Sequence, residues 1–205
     1  MRSLIMTLLA LILAGCGVFG VLNRTTRPDT AGSPAIIPQL PEATPPPTEE
    51  RYTSRLPDYG PAPEIADDVW LNVEAPLRLA DLRGKVVLVD FWTYGCINCQ
   101  HVIPYVREWH TQYSEQGLVV IGVHYPESDY EADLQNLKAA IVRLDVPYAV
   151  AQDNDAITWR AYDNHYWPTL YLIDKRGHLR YRHIGEGSYA EIEANIQDLL
   201  AETYP

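Results

Sequence analysis

Cysteine is scarce in this chain, with three in 205 residues at positions 16, 96 and 99. That excludes a small scaffold stapled by several disulfides, in which cysteines are dense. Basic residues are also in short supply, 16 Lys and Arg against 27 Asp and Glu, for a formal net charge of −11. Such a balance argues against nucleic acid or an anionic lipid surface as partner, and most of the charge reads as solvated surface. The histidines, His101, His110, His124, His165, His178 and His183, form no pair of pairs with the cysteines at zinc-ligand spacing. Neither a metal nor an organic cofactor is expected. No internal repeat is present, so a solenoid is excluded.

What is present is a pair, Cys96 and Cys99, directly after the run Val86 to Trp92. That run is apolar on both alternating faces except for Asp90, which predicts a central strand covered on both sides. A helical pattern follows from about Cys96 to Glu115. Strand, short turn, then cysteine puts Cys96 at a helix N-terminus, where unpaired N–H groups and the helix dipole favour a thiolate. The i, i+3 spacing keeps Cys99 on the same helical face, within reach of a mixed disulfide on Cys96. Cys96 is expected to attack and Cys99 to resolve. The competing readings are half of a zinc site, with His101 two residues after Cys99, and two inert buried thiols.

The rest of the C-terminal part alternates. Leu118 to Val123 reads as a strand after a helix stop at Gly117. Leu134, Leu137, Ile141 and Leu144 predict a helix over 129–144, and Tyr148 to Ala151 a short strand. Asp153, Asn154 and Asp155 are placed to cap a brief helix to Tyr162. Thr169 to Ile173 and His178 to Ile184 read as a hairpin across Asp174 to Gly177. Ser188 and Glu191 form a capping-box pattern before the apolar positions of a last helix, Ile192, Ile196, Leu199 and Leu200. The implied class is α/β, a mixed central sheet with helices on both faces.

Several motifs carry a resemblance. Asp90 six residues before the first cysteine, Pro104 five after the second, Trp167-Pro168-Thr169-Leu170, and Gly185 on the following strand resemble the thioredoxin superfamily. More narrowly, Trp92 to Cys99, Val120 to His124 and Tyr166-Trp167-Pro168 are similar to the thioredoxin-like domain of DipZ-type proteins, within the TlpA/ResA class of extracytoplasmic oxidoreductases. The resemblance covers roughly residues 56–200 and implies a thioredoxin-like fold and thiol–disulfide exchange, most often in the reducing direction. Ile97-Asn98 stands where thioredoxin has Gly-Pro. The partners it implies are protein thiol and disulfide clients and a CcdA- or DsbD-like membrane electron donor. It also implies a cis bond before Pro168, beside the cysteines. Asp90 is then read as the base for Cys99, since burial raises a carboxyl pKa; the plainer reading is an inert acid at a strand end. Trp92, Trp167 and Tyr94 are read as an apolar rim, although each alone reads as core.

The excess over one such domain lies at the N-terminus. Leu4 to Leu13 carries no charge, and Leu13-Ala14-Gly15-Cys16 resembles the lipobox of bacterial lipoproteins. The expected division is a signal peptide at 1–15, a Pro-rich linker at 16–57 anchored through lipid on Cys16, and the folded domain at 58–205. The rival is an uncleaved span, because Leu4 to Leu22 holds nineteen uncharged residues, close to the ~20 that cross a bilayer. Arg24 and Arg27 would then orient the C-terminal side towards the cytoplasm. Prolines 28, 34, 38, 41, 45, 46, 47 and 57 predict an extended tether. The expected location is extracytoplasmic, as a membrane-anchored lipoprotein. Thr93, three residues before Cys96, leaves a peroxiredoxin-like thiol peroxidase as the enzymatic alternative, although the proline of that motif is replaced by Val89. A redox-inert client-binding module is the non-enzymatic alternative.

Overall fold

The computed structural model describes residues 52–204; the lipobox cysteine Cys16, the signal peptide and the linker up to residue 51 lie outside the described residues. Seven consecutive buried residues make β2 (Val86–Trp92) the centre of the molecule. On one side it pairs in parallel with β3 (Leu118–His124), and β3 pairs in parallel with β4 (Ala149–Gln152). On the other it pairs antiparallel with β5 (Thr169–Ile173), which forms a hairpin with β6 (Leu179–Ile184). A short β1 (Val69–Leu71) closes the far edge, giving the order β1-β4-β3-β2-β5-β6. The helices are α1 (Ile97–Tyr113), α2 (Asp129–Ala132), α3 (Leu134–Leu144), α4 (Ile157–Ala161) and α5 (Tyr189–Ala201).

The alternation of β2 sorts the core into two layers. Val86, Leu88 and Trp92 face Val102, Ile103, Val106 and Trp109 of α1, Leu137 and Ile141 of α3, and Ile192, Ile196 and Leu199 of α5. Val87, Val89 and Phe91 face Ile65, Leu79, Tyr162, Tyr171 and Ile173. Both faces carry helix, but unequally. Both parallel crossovers put their helices on the first face, while the second is covered by α4, a 3-10 turn at Leu79–Leu82 and the chain leading into it.

Two expectations are corrected. The helix over 129–144 is two, because Asp133 adopts extended backbone and its carboxylate caps α3 through the amides of Gln135 and Asn136, at 2.8 and 3.0 Å. The capping box at Ser188 does not form. Ser188 sits at φ +51° without a side-chain cap, and Glu191 accepts instead from the Tyr181 hydroxyl, at 3.0 Å. Strand β1 and the 3-10 turn lie in a stretch to which the sequence pattern assigned no element. The Asp153 cap is present: its carboxylate accepts from the amides of Ile157 and Trp159, both at 2.6 Å.

Among the described residues, the end of the Pro-rich composition, 52–57, already packs against the domain. Arg180, 2% exposed, donates to the carbonyls of Ser54, Leu56 and Pro57 and to the carboxylates of Asp174 and Glu202, all within 3.1 Å. All its donor directions towards the chain are thereby used, which is what makes a buried guanidinium tolerable. Tyr52 and Thr203 exchange backbone and hydroxyl bonds beside it. This knot ties the incoming segment to β6 and the end of α5.

Candidate active site

Sheet topology brings the functional residues to one end of β2. The strand stops at Trp92, the turn Thr93–Gly95 follows, and Cys96 is the N-cap of α1 in extended conformation. Its amide donates to the Thr93 carbonyl at 3.3 Å, and its sulfur accepts from the Cys99 amide at 3.4 Å. A side chain in that position faces the free amides of the first helical turn, as the spacing predicted. Cys96 is half-buried, Cys99 is buried, and the two are present as thiols. Burial pushes the Cys99 thiol well up, reinforced by its hydrogen bond with Cys96 and the charge of Asp90.

Asp90 lies in the same layer as Cys99, 1% exposed, with neither carboxylate oxygen hydrogen-bonded. Burial alone raises its pKa to about 7. Tyr148 is another titratable group of this layer. Its hydroxyl is buried and unpartnered, and burial and then the Asp90 charge push the phenol up. Gly122, paired with Asp90 across the ladder, makes room: a Cβ there would lie 2.8 Å from Trp92 Nε1 and 3.2 Å from Tyr148. Desolvation thus leaves one carboxyl that gains or loses a proton near neutrality beneath a thiol that resists losing one.

The Trp167–Pro168 bond is cis, and the Pro168 carbonyl accepts from the Gly185 amide at 2.9 Å. Trp167 stacks on Tyr125 at 5.6 Å and against Trp159 at 4.6 Å. It packs with Cys96 against the cluster that contains Cys99. Trp92 and Tyr94 are not rim residues, because both are buried beneath the turn. The exposed apolar side chains here are Ile97, 60% exposed, and Tyr166, 58% exposed.

Two residues of the site escaped the sequence reading. Glu131 of α2 accepts from the Thr93 hydroxyl, and His124, at the end of β3, approaches the same hydroxyl through Nε2 at 3.3 Å. His124 closes the Val120 to His124 stretch that carries the resemblance, but no role followed from that; the structural signal is that parallel neighbours end together, which pairs it with Trp92. Nothing in the spacing of Glu131 announces it.

This sheet order, with its CxxC at a helix start and a cis-proline at the mouth of the neighbouring strand, is a thioredoxin-like fold. Residues 61–182 match the model of the AhpC/TSA family, and the chain belongs to that family. It is 43% identical over 155 residues to Protein DipZ of Mycobacterium tuberculosis, covering 74% of this chain and 22% of that one. The chain thus spans about a fifth of the length of this relative. It is 32% identical over 144 residues to the thiol-disulfide oxidoreductase YkuV of Bacillus subtilis, covering 70% of this chain and 96% of YkuV. Among solved structures, the thioredoxin-like superfamily protein SPOA0173 superposes with a TM-score of 0.67 at 33% identity, over 71% of this chain and 99% of that one.

Proposed function

We propose that this chain is a membrane-tethered, extracytoplasmic thiol–disulfide oxidoreductase that reduces disulfides of client proteins. The observation that carries the reading is the asymmetry of the pair: Cys96 reachable at the helix N-terminus, Cys99 buried one turn inside over an unpartnered acid. The Cys96 thiolate attacks a client disulfide, forming a Cys96–client bond and releasing one client thiolate. Cys99 then gives its proton to Asp90 and attacks Cys96 Sγ. The Cys96–Cys99 disulfide forms and the second client sulfur leaves with both electrons. Asp90 returns its proton to solvent, and a CcdA- or DsbD-like donor restores the dithiol. Trp167 and Pro168 flank the thiols where an extended client backbone would lie, with Trp92 supporting them from beneath.

A thiol peroxidase reading would need the Thr93 hydroxyl at the attacking sulfur, and that hydroxyl is committed to Glu131. Tethering rests on the lipobox at Cys16, with the Pro-rich segment that follows it as spacer. Among the described residues no helix is long and apolar enough to cross a membrane. Mass spectrometry of the native N-terminus is expected to find cleavage between Gly15 and Cys16 and an acylated Cys16; an intact Met1 with unmodified Cys16 returns the chain to the spanning-anchor reading. The direction is tested by redox titration of Cys96 and Cys99. A potential near ~−270 mV is expected, and one near ~−120 mV would make the protein an oxidant.

A further inference from the structure

Behind the active-site turn lies a buried polar chain to which the exchange chemistry assigns no role. Glu131 is 7% exposed, and one carboxylate oxygen accepts from the Thr93 hydroxyl and from the Glu127 amide, the latter at 2.9 Å. Thr93 donates its single hydroxyl proton to Glu131. Its oxygen is therefore left to accept from His124 Nε2, which assigns the ring its Nε2–H tautomer. His124 is fully buried, stacked on Tyr94 and edge-on to Trp92, both at 5.4 Å between ring centres. Burial pulls its pKa down to about 4 against the opposing charge of Glu131, so the ring is neutral near pH 7.

The other carboxylate oxygen of Glu131 lies 2.0 Å from where a Cβ on Gly95 would sit. The carboxylate is therefore seated directly against the residue that precedes Cys96, and a side chain there would have to displace it. The Tyr94 hydroxyl adds a second tie to α2, donating to the Tyr130 carbonyl at 2.9 Å. A four-residue helix does not hold its own shape, and α2 is fastened in turn. Ser128 caps it, Asn136 donates to the Tyr130 carbonyl, and Gln152 donates to the Ala132 carbonyl. Every residue of the turn before Cys96 is thus gripped by α2 or β3.

We propose that Glu131 is a positioning residue for Cys96, acting through the Thr93 hydroxyl, with His124 holding that hydroxyl from the other side. The grip fixes the Thr93 carbonyl under the Cys96 amide and delivers the sulfur to the first amides of α1. The inference rests on reading Cys96 as the attacking thiol.

Alkylation of the reduced full-length protein by iodoacetamide, with each cysteine quantified by mass spectrometry, reads Cys96 without any client. Thr93→Val and Glu131→Ala are each expected to slow Cys96 alkylation roughly fivefold or more, the loss of a helix-terminus interaction. Thr93→Ser and Glu131→Gln keep the donor and the acceptor and should stay within about twofold of wild type. Ile196→Val, which loosens the same core from α5, should leave the rate unchanged. Should Thr93→Val not fold, the Glu131→Ala and Glu131→Gln pair decides. Wild-type rates in the Val and Ala variants would overturn the proposal, as would Ser and Gln variants as slow as these. Equal slowing by Ile196→Val would reduce the effect to general loosening and overturn it too. A failure of Cys96 and Cys99 to form a disulfide on oxidation would sink the oxidoreductase reading instead, and leaves the alkylation rates to judge Glu131.

Discussion

Replacing Cys99 by serine is expected to make mixed disulfides between Cys96 and client proteins accumulate, while Cys96→Ser abolishes both trapping and turnover. The two thiols differ in reach and in proton affinity. Cys96 is half-buried at the helix start, its sulfur within hydrogen-bond distance of the Cys99 amide. Cys99 is 1% exposed, and burial holds its thiol protonated. Only the first can meet a bulky protein disulfide, because the thiolate is the nucleophile and must be accessible. A serine at 99 cannot attack sulfur, so the reaction halts at the Cys96–client bond. Non-reducing electrophoresis of the full chain with its extract, followed by mass spectrometry of the bands, checks the outcome. Adducts formed by Cys96→Ser and absent from Cys99→Ser would reverse the roles.

Much of this was legible in the sequence, for physical reasons that differ by element. β2 announced itself because a strand covered on both faces has no polar alternation to obscure it, and its one interruption is Asp90. The start of α1 followed from the cysteine spacing. The break at Asp133 was hidden because every apolar position that announced the helix, Leu134, Leu137, Ile141 and Leu144, lies in α3, and the four residues of α2 carry no such period of their own. Ser188 and Glu191 matched a capping box in spacing. Yet tertiary structure placed Ser188 in the left-handed region and gave Glu191 to Tyr181. The Glu131–Thr93–His124 chain was illegible in principle. It joins residues 38 and 31 positions apart, and a contact of that range is set by topology, not by local pattern. The same holds for Arg180, whose buried partners, apart from Asp174 six residues before it, lie more than 120 residues upstream and 22 downstream.

Asp90→Asn is expected to leave the first attack nearly intact near neutral pH and to slow resolution by roughly 10²-fold, the usual worth of a positioned general base. The side chain has a pKa of about 7 because it is buried without a hydrogen bond. Above that value it is ionised and able to take the Cys99 proton; below it the site is already occupied. Wild-type resolution should therefore rise through about pH 7, and the asparagine variant should show no such inflection, both read by stopped flow on a labelled client disulfide. Stability should move the opposite way. A carboxyl whose folded pKa lies above its ordinary value of 3.8 adds stability that is complete below that value and lost as pH rises through about 7. The span from 3.8 to about 7, at ~1.36 kcal/mol for each tenfold change in proton affinity, makes the loss on the order of 4 kcal/mol. Urea unfolding at about pH 8.5 should thus find Asp90→Asn more stable than wild type, with the difference shrinking towards about pH 5. A group that weakens the fold at the pH where it speeds the second step is the pattern expected of a residue kept for chemistry. If both steps keep wild-type rates from about pH 6 to about pH 9, Asp90 is a strand residue only and the Cys99 proton leaves by another route.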